Sequence, residues 1–423
     1  MLNLIYNYIF IPFANVALFI LKFLNEKVSY KKKHIKEINS KLISMTKIKT
    51  RVWFHASSMG EFEQAKPVIE FIKNNTDYEI ICSFYSPTGL NNNKNYDYSD
   101  YNCFMPFDSK QNAKEFLSIL KPDVAVFVRY DIWFNHLQQL NECKIPTILI
   151  NAVKPNGKFT DSFWLKSYYK TCFSMFNSII TVNQTQSDYF KALSIDSEVI
   201  TANDSRLDRI YNVVQTAKQV PILEKKIFAD DFVIVAGSTW KEDEIYLSSA
   251  VDKLRTASHS IRVIYVPHEP TKDRLKEISS RIEKFVLLSD LMSILENKSN
   301  QNFVLDRDII VDSVGKLLRL YASADIAMIG DGWGKGVHSV SEPAGYGIPL
   351  FCGPKIQTMP DAIVLNELGG LFIAKDTDAV YNFINLMLKN KEKYNEISFI
   401  NRYYIEKAKG ASEIIARKII SFL

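Results

Sequence analysis

Two successive series of short apolar runs, each alternating with amphipathic stretches, constrain this chain more than any other feature. The first runs fall at 51–55, 79–84, 123–128, 146–151 and 178–182, and the second at 232–236, 261–266, 284–288, 308–311, 325–329 and 348–352. Each run has the length of a strand rather than a helix, whereas stretches such as 62–73 and 110–120 carry apolar residues at helical spacing. Strands alternating with helices predict a doubly wound α/β arrangement, with parallel sheets covered on both faces. Two such series in 423 residues predict two Rossmann-like domains facing a central cleft, where ligands bind. A polar stretch from Asn203 through Gln215-Thr216-Ala217-Lys218 to Pro221 places the join near 203–228.

Composition excludes several function classes. A net charge of +5 is too mild to argue for nucleic acid as a partner. Cys82, Cys103, Cys143, Cys172 and Cys352 form no CxxC pair, which predicts reduced thiols and no zinc site. The amino terminus differs in character: from Leu2 to Leu24 the only charge is Lys22. That length matches the ~20 residues of a bilayer-crossing helix, while Asn3, Asn7, Pro12 and Asn15 leave open a helix lying in the interface. No basic region precedes the apolar stretch, so a cleaved signal peptide is disfavoured. Lys31-Lys32-Lys33-His34 and Lys36 then favour a cytoplasmic location for the downstream chain and contact with anionic lipid headgroups, or simply form a solvated helix face.

Chemistry concentrates at the ends of the expected strands. Trp53-Phe54-His55-Ala56-Ser57-Ser58-Met59-Gly60-Glu61 reads as a strand, a tight turn and a carboxylate at a helix start. In open α/β sheets that position faces the ligand crevice, so Glu61 is a candidate general base; the alternative is a first-turn Glu favoured by the helix dipole. Arg129-Tyr130-Asp131-Ile132-Trp133 puts a cation and a carboxylate after the run 123–128, as catalytic groups or as a surface ion pair. Asp204-Ser205-Arg206-Leu207-Asp208 supplies an arginine suited to an anionic group.

In the second half, Gly330-Asp331-Gly332-Trp333-Gly334-Lys335-Gly336 leads to Val337-His338-Ser339-Val340-Ser341-Glu342. Glycines there let backbone approach a phosphate, and a helix beginning near Ser339 points its amides at an anion. The spacing fails GxGxxG, which disfavours a dinucleotide. Glu342 is either a ribose ligand or the capping-box partner of Ser339. Ala236-Gly237-Ser238-Thr239-Trp240 and Val266-Pro267-His268-Glu269-Pro270 are two further strand-end turns. Asp306-Arg307-Asp308 matches the DxD metal motif but precedes an apolar run instead of ending one, and reads as a chance match.

In this order the segments HASSMGE, RYDIW, DSRLD, GSTWKEDE, VPHEP and GKGVHSVSEPAGYGIPLFCGP resemble the 3-deoxy-D-manno-octulosonic acid (Kdo) transferase family over nearly the whole chain. The resemblance implies a GT-B fold: a membrane-anchoring helix over 1–30, an acceptor-binding domain over 31–215, a CMP-Kdo-binding domain over 216–405, and a terminal helix over 406–423 packing back on the first domain. It implies an inverting, metal-independent transferase without a cofactor, moving Kdo from CMP-Kdo to a lipid A precursor (lipid IVA) at the cytoplasmic face of the inner membrane. Glu61 would be the general base, with Asp131 and Arg206 assisting at the transition state. Pro267, His268, Val314, Gly315, Lys316, Ser339, Val340, Ser341 and Glu342 would hold the CMP moiety. The chain departs from the family pattern where Arg129 replaces an acid, Asp131 a glutamate, Arg206 a lysine and Ser339 an asparagine, and where Lys316 stands in place of an acidic or apolar residue. A GT-B transferase using a UDP-sugar, and a non-catalytic nucleotide- or lipid-binding protein, are the rival readings.

Overall fold

The computed structural model describes residues 6–13, 16, 26–155, 163–297 and 303–423. They divide into two units, one running up to Arg209 and resuming at Gly410–Leu423, the other spanning Ile210–Lys409. Each unit is built on one seven-stranded, all-parallel sheet with helices on both faces.

In unit 1 the strands are β1 (Arg51–Ala56), β2 (Glu79–Phe84), β3 (Tyr101–Phe104), β4 (Val124–Val128), β5 (Thr147–Ala152), β6 (Ser178–Thr181) and β7 (Glu198–Thr201), in the spatial order β3-β2-β1-β4-β5-β6-β7. All six residues of β1 are buried because both faces of this central strand are covered. Val52, Phe54 and Ala56 join the core under the helices Met59–Asn75 and Ala411–Ile420. Trp53 points the other way, into a core shared with Phe116, Leu137 and Phe173. Arg51 is fully buried at the strand's start, where its Nε meets Glu79 Oε2 at 2.6 Å.

Unit 2 contains β8 (Phe232–Thr239), β9 (Ile261–Pro267), β10 (Phe285–Leu287), β11 (Asp308–Ile310), β12 (Ile326–Ile329), β13 (Leu350–Cys352) and β14 (Leu371–Ile373), ordered β10-β11-β9-β8-β12-β13-β14. Its core packs Ile234, Ala236, Val263 and Met328 against Leu247, Val251 and Leu254 of the helix Lys241–Thr256. Asp308 of the DxD match is buried at the start of β11, accepting from Arg255 at 2.5 Å and from the Val263 amide at 2.9 Å. It is an ion-paired structural residue, and among the described residues no cluster of three or more His, Cys, Asp or Glu could hold a metal.

The expected anchor over 1–30 falls largely outside the described residues, which omit 1–5, 14–15 and 17–25. Among the described residues no helix is long and apolar enough to cross a membrane. Tyr6 packs on Phe134 and Tyr168 and donates to Asp108 at 2.7 Å, while Tyr8 and Phe13 remain exposed. The lysine cluster is not one uniform basic face. In the helix Glu26–Ser44, Lys33 and Lys36 are exposed, but the Lys31 ammonium lies 3.3 Å from the Tyr85 ring centre. Burial pushes its pKa well below the usual lysine range.

Asp208 secures the return of the chain into unit 1. It is buried, and its two carboxylate oxygens accept the Gly410 and Ser412 amides, each at 3.0 Å, at the start of the terminal helix. Free amides at a helix start need such an acceptor, and a carboxylate there also meets the positive end of the dipole. Replacing Asp208 by Ala is expected to cost about 1–3 kcal/mol, the range for stranding buried hydrogen-bond partners. Denaturant unfolding of the variant against the wild type measures it.

Candidate active site

A parallel sheet that grows in both directions from its first strand leaves a crevice at its carboxyl edge, because connections on either side of that point leave toward opposite faces. In unit 1 this switch lies between β1 and β4; in unit 2 it lies between β8 and β12. The backbone turns sharply at these edges. Arg129 after β4, Asn151 in β5, Asn203 after β7, Ser238 in β8 and Asp331 after β12 have φ of 64°, 50°, 68°, 55° and 65°, the left-handed region that non-glycine residues seldom occupy.

Glu61 stands at the unit 1 switch as the third residue of the helix Met59–Asn75, in a capping box with Ser58. Its Oε2 accepts the Ser58 amide at 2.7 Å and the Ser58 hydroxyl. Oε1 has no hydrogen-bond partner among the described residues. The helix-start reading and the base reading therefore hold together: one oxygen fixes the carboxylate and the other is available to a ligand.

Asp131 makes no ion pair with Arg129. It is 9% exposed, and four donors surround its carboxylate. The Ser57 hydroxyl and Trp133 Nε1 reach Oδ1 at 2.8 and 2.7 Å. The Ser57 amide and His55 Nε2 reach Oδ2 at 2.8 and 3.2 Å. Those contacts match the roughly four lone-pair sites of a carboxylate. His55, fully buried, extends the chain of bonds: its Nδ1 lies 2.8 Å from Ser83 Oγ, which accepts from Trp53 Nε1 at 2.8 Å. Trp53 can only donate, so every group is satisfied when Ser83 donates onward to Nδ1 and the ring proton sits on Nε2, facing Asp131. Asp131 thus clamps the turn that carries Glu61.

Arg206 opens the helix Ser205–Gln219, half-buried, 3.7 Å from Asp204. Its neighbour Ser205 donates to Gln64 O at 2.6 Å, and Asn151 Nδ2 bonds Ser205 Oγ at 2.6 Å. These bonds seat the start of Arg206's helix against the helix that begins with Glu61. The roles of His55, Ser57 and Asn151 were not read from the sequence, although His55 and Ser57 lie in the HASSMGE segment, because their contacts depend on which strands become neighbours.

In unit 2 the glycine-rich turn is packed against protein backbone. A Cβ on Gly330 would lie 2.1 Å from Ser238 O, and one on Gly332 would lie 2.4 Å from the Gly353 amide. These glycines let the loops after β8, β12 and β13 interlock, which differs from the phosphate cradle expected of them. The following helix spans Ser341–Tyr346, capped by Val340 without a side-chain bond, so it starts two residues later than expected and Ser339 and Glu342 form no capping box. Val340 is buried, and Ser341 Oγ donates to Asp361, which also accepts from Tyr404 at 3.0 Å. Ser339 is exposed. Glu342 lies near Tyr321 and Tyr346, and burial raises its pKa. Val314, Gly315 and Lys316 form an exposed turn beyond β11, with Gly315 at φ 76°.

Pro267 ends β9 and His268 follows it, exposed, its amide bonded to Thr239 O at 3.0 Å. Its ring stacks on His338 with centroids 4.5 Å apart and planes 8° from parallel, and lies 5.3 Å from Trp240. Beneath them Asp243 Oδ2 accepts the Trp240 and Asp331 amides, both at 2.8 Å, tying the β8 turn to the β12 turn. Burial drives Asp243 up to about 6, against the two backbone bonds that favour its charge. Trp240 Nε1, Asp243 Oδ1 and His338 Nε2 are buried without hydrogen-bond partners among the described residues. Three such atoms at one sheet edge mark a ligand site better than any single motif.

A family model described as 3-deoxy-D-manno-octulosonic-acid transferase (kdotransferase) matches residues 25–209. The 3-deoxy-D-manno-octulosonic acid transferase of Aquifex aeolicus is 26% identical over 373 residues, covering 86% of this chain and 94% of that protein. A bifunctional glycosyltransferase/methyltransferase of Fusobacterium nucleatum is 25% identical over 384 residues, covering 87% of this chain but 57% of its own length. Among solved structures, the UDP-GlcNAc 2-epimerase of Neisseria meningitidis bound to UDP-GlcNAc shares the fold, with a TM-score of 0.56 and 16% identity over 88% of this chain and 100% of that one.

Asp243 provides a test of the unit 2 edge. Its folded-state pKa lies above the ordinary Asp value of 3.8, so its contribution to stability is complete below about pH 4 and is lost as pH rises through about 6. Asp243→Asn keeps an acceptor for the two amides and removes the charge, and is expected to flatten that part of the stability profile. Asp243→Ala is expected to cost about 1–3 kcal/mol by stranding both amides. Thermal unfolding of both variants between pH 4 and 7, compared with the wild type, checks the assignment.

Proposed function

The chain belongs to the 3-deoxy-D-manno-octulosonic acid (Kdo) transferase family of glycosyltransferases, and we propose that it transfers Kdo from CMP-Kdo to a sugar hydroxyl of a lipid A precursor, with inversion. The observation that carries this reading is Glu61, held at the switch edge by Ser58 through one oxygen, with the other unoccupied. In the reaction Glu61 Oε1 takes the proton of the acceptor hydroxyl as its oxygen attacks the anomeric carbon. The bond from that carbon to the phosphate oxygen breaks, and CMP departs with the electron pair. A single displacement needs no covalent enzyme intermediate, and positioning supplies much of the rate.

Asp131 acts through the turn it clamps, as a positioning residue. Arg206 supplies a permanent cation for the anionic sugar acid or phosphate. In unit 2, Pro267, His268, the turn Val314–Lys316 and the segment Ser339–Glu342 hold the CMP moiety; Val340 and Ser341 contribute shape, since the one is buried and the other is bonded to Asp361. A lipid-borne acceptor accounts for an apolar and then basic amino terminus, and it sets the work at the cytoplasmic face of the inner membrane.

Purified full-length protein incubated with CMP-Kdo and a lipid A precursor is expected to release CMP and add the Kdo mass to the lipid, read by mass spectrometry. Release of UDP from a UDP-sugar, with no CMP from CMP-Kdo, would overturn the donor assignment. Glu61→Gln is expected to lower turnover by about 10²–10⁴, the usual contribution of a general base, with CMP affinity unchanged. Turnover equal to wild type would remove Glu61 from the mechanism.

A further inference from the structure

We propose that the stacked rings of His268 and His338 form a proton-linked receiver for the donor's phosphate, taking up about one proton when the anion binds. The inference rests on the reading that unit 2 holds a nucleotide phosphate, and it assigns His338 a role that no sequence motif indicated.

Position comes first. The two imidazoles sit on the loops that follow β9 and β12, the strands flanking β8 at the crevice edge. Backbone pins both: the His268 amide bonds Thr239 O at 3.0 Å and the His338 amide bonds Gly330 O at 3.2 Å. Because Gly330 and Ser238 pack backbone against backbone, the loops cannot separate without breaking that interlock. The stack is therefore a fixed feature of the edge.

Charge comes second. Rings 4.5 Å apart and nearly parallel cannot both carry a proton without strong repulsion. Burial and His268 both push the pKa of His338 down, while Asp331 opposes them. Carboxylates on the turns around the stack include Asp331 and Asp243, and Asp243 keeps one oxygen, Oδ1, without a partner among the described residues. Asp331 Oδ1 accepts the Lys335 amide at 2.8 Å, and Asp243 Oδ2 accepts the amides of Trp240 and Asp331. Lys355 Nζ donates to Gly334 O, and Glu269 follows His268 in the chain. His338 Nε2 is buried without a partner, a group that a phosphate oxygen satisfies once the ring is protonated. Without an anion, burial and the neighbouring ring favour uncharged His338; a phosphate dianion reverses that preference. Binding and proton uptake are thereby coupled, as linkage requires.

Calorimetric titration of the full-length protein with CMP, in buffers of different ionisation enthalpy between pH 7 and 8, reads the proton directly. In that window the nucleotide's own phosphate, whose second pKa is near 6, is mostly dianionic and exchanges few protons. Selection of the dianion would in any case release protons, the opposite sign. Wild type is expected to take up about half to one proton and to lose up to about tenfold in affinity per pH unit on going from pH 7 to 8. His338→Gln is expected to bind CMP with no uptake and a flat profile; its retained binding reports an intact fold. CMP binding by the wild type without uptake, or undiminished uptake in His338→Gln, overturns the proposal. If UDP binds with His338-dependent uptake and CMP does not bind, the receiver stands and the CMP assignment falls. Binding of neither overturns both.

Discussion

The carboxyl edge of a parallel sheet is where this protein concentrates its chemistry, and the constraint begins with hydrogen bonding. Strands β1 and β4 lie side by side, as do β8 and β12, yet the connections on either side of each junction leave toward opposite faces. The edge left between them is lined by turns, not covered by a helix. Every residue argued to act in the reaction is carried on a segment that follows a strand at the carboxyl edge of its sheet. Left-handed backbone at Arg129, Asn151, Ser238 and Asp331 is the cost of turning the chain there so abruptly.

Unit 1 handles that edge with polar clamps. Asp131 gathers Ser57, His55 and Trp133, and the Ser57 turn then presents Ser58 and Glu61. A carboxylate with all its acceptor sites filled is poorly placed to attack a substrate and well placed to hold a loop. The same functional group, one strand apart, serves two purposes: the Glu61 carboxylate keeps an open oxygen and that of Asp131 does not. Unit 2 handles its edge differently, by glycine-permitted backbone contact between the β8 and β12 turns and by Asp243 bridging their amides. Polar atoms left without partners, on Trp240, Asp243 and His338, then collect on the same edge.

Much of the fold was legible in the sequence because a strand buried on both faces needs an unbroken apolar run, and β1, β4, β5, β8 and β9 all have one. None of the apolar runs falls on β3, β7 or β14, which all lie at sheet edges. Tyr101 and Asn102 are only partly buried, Glu198, Thr201 and Phe372 are exposed, and these strands lack the two-sided apolar pattern. The glycine turn was located correctly, but the close approach that Gly330 and Gly332 permit is to another backbone, and a glycine that admits a phosphate and one that admits backbone look identical in sequence. One member of the basic cluster was hidden for a related reason: Lys31 turns inward onto Tyr85, a partner 54 positions away in sequence.

By itself the sequence determined what depends on periodicity and on near neighbours. Alternating strand and helix periods dictate two parallel sheets, and the Ser58–Glu61 capping box closes over three residues with no outside help. Tertiary structure alone decided the rest. Asp131 meets Ser57 across 74 positions, Asp208 meets Gly410 across 202, and His338 stacks on His268. Those pairings depend on which strands become neighbours, and the spatial order of strands is set by the packing of whole helices on whole sheets. No local pattern encodes that order, so the residues it brings together become visible only in the folded chain.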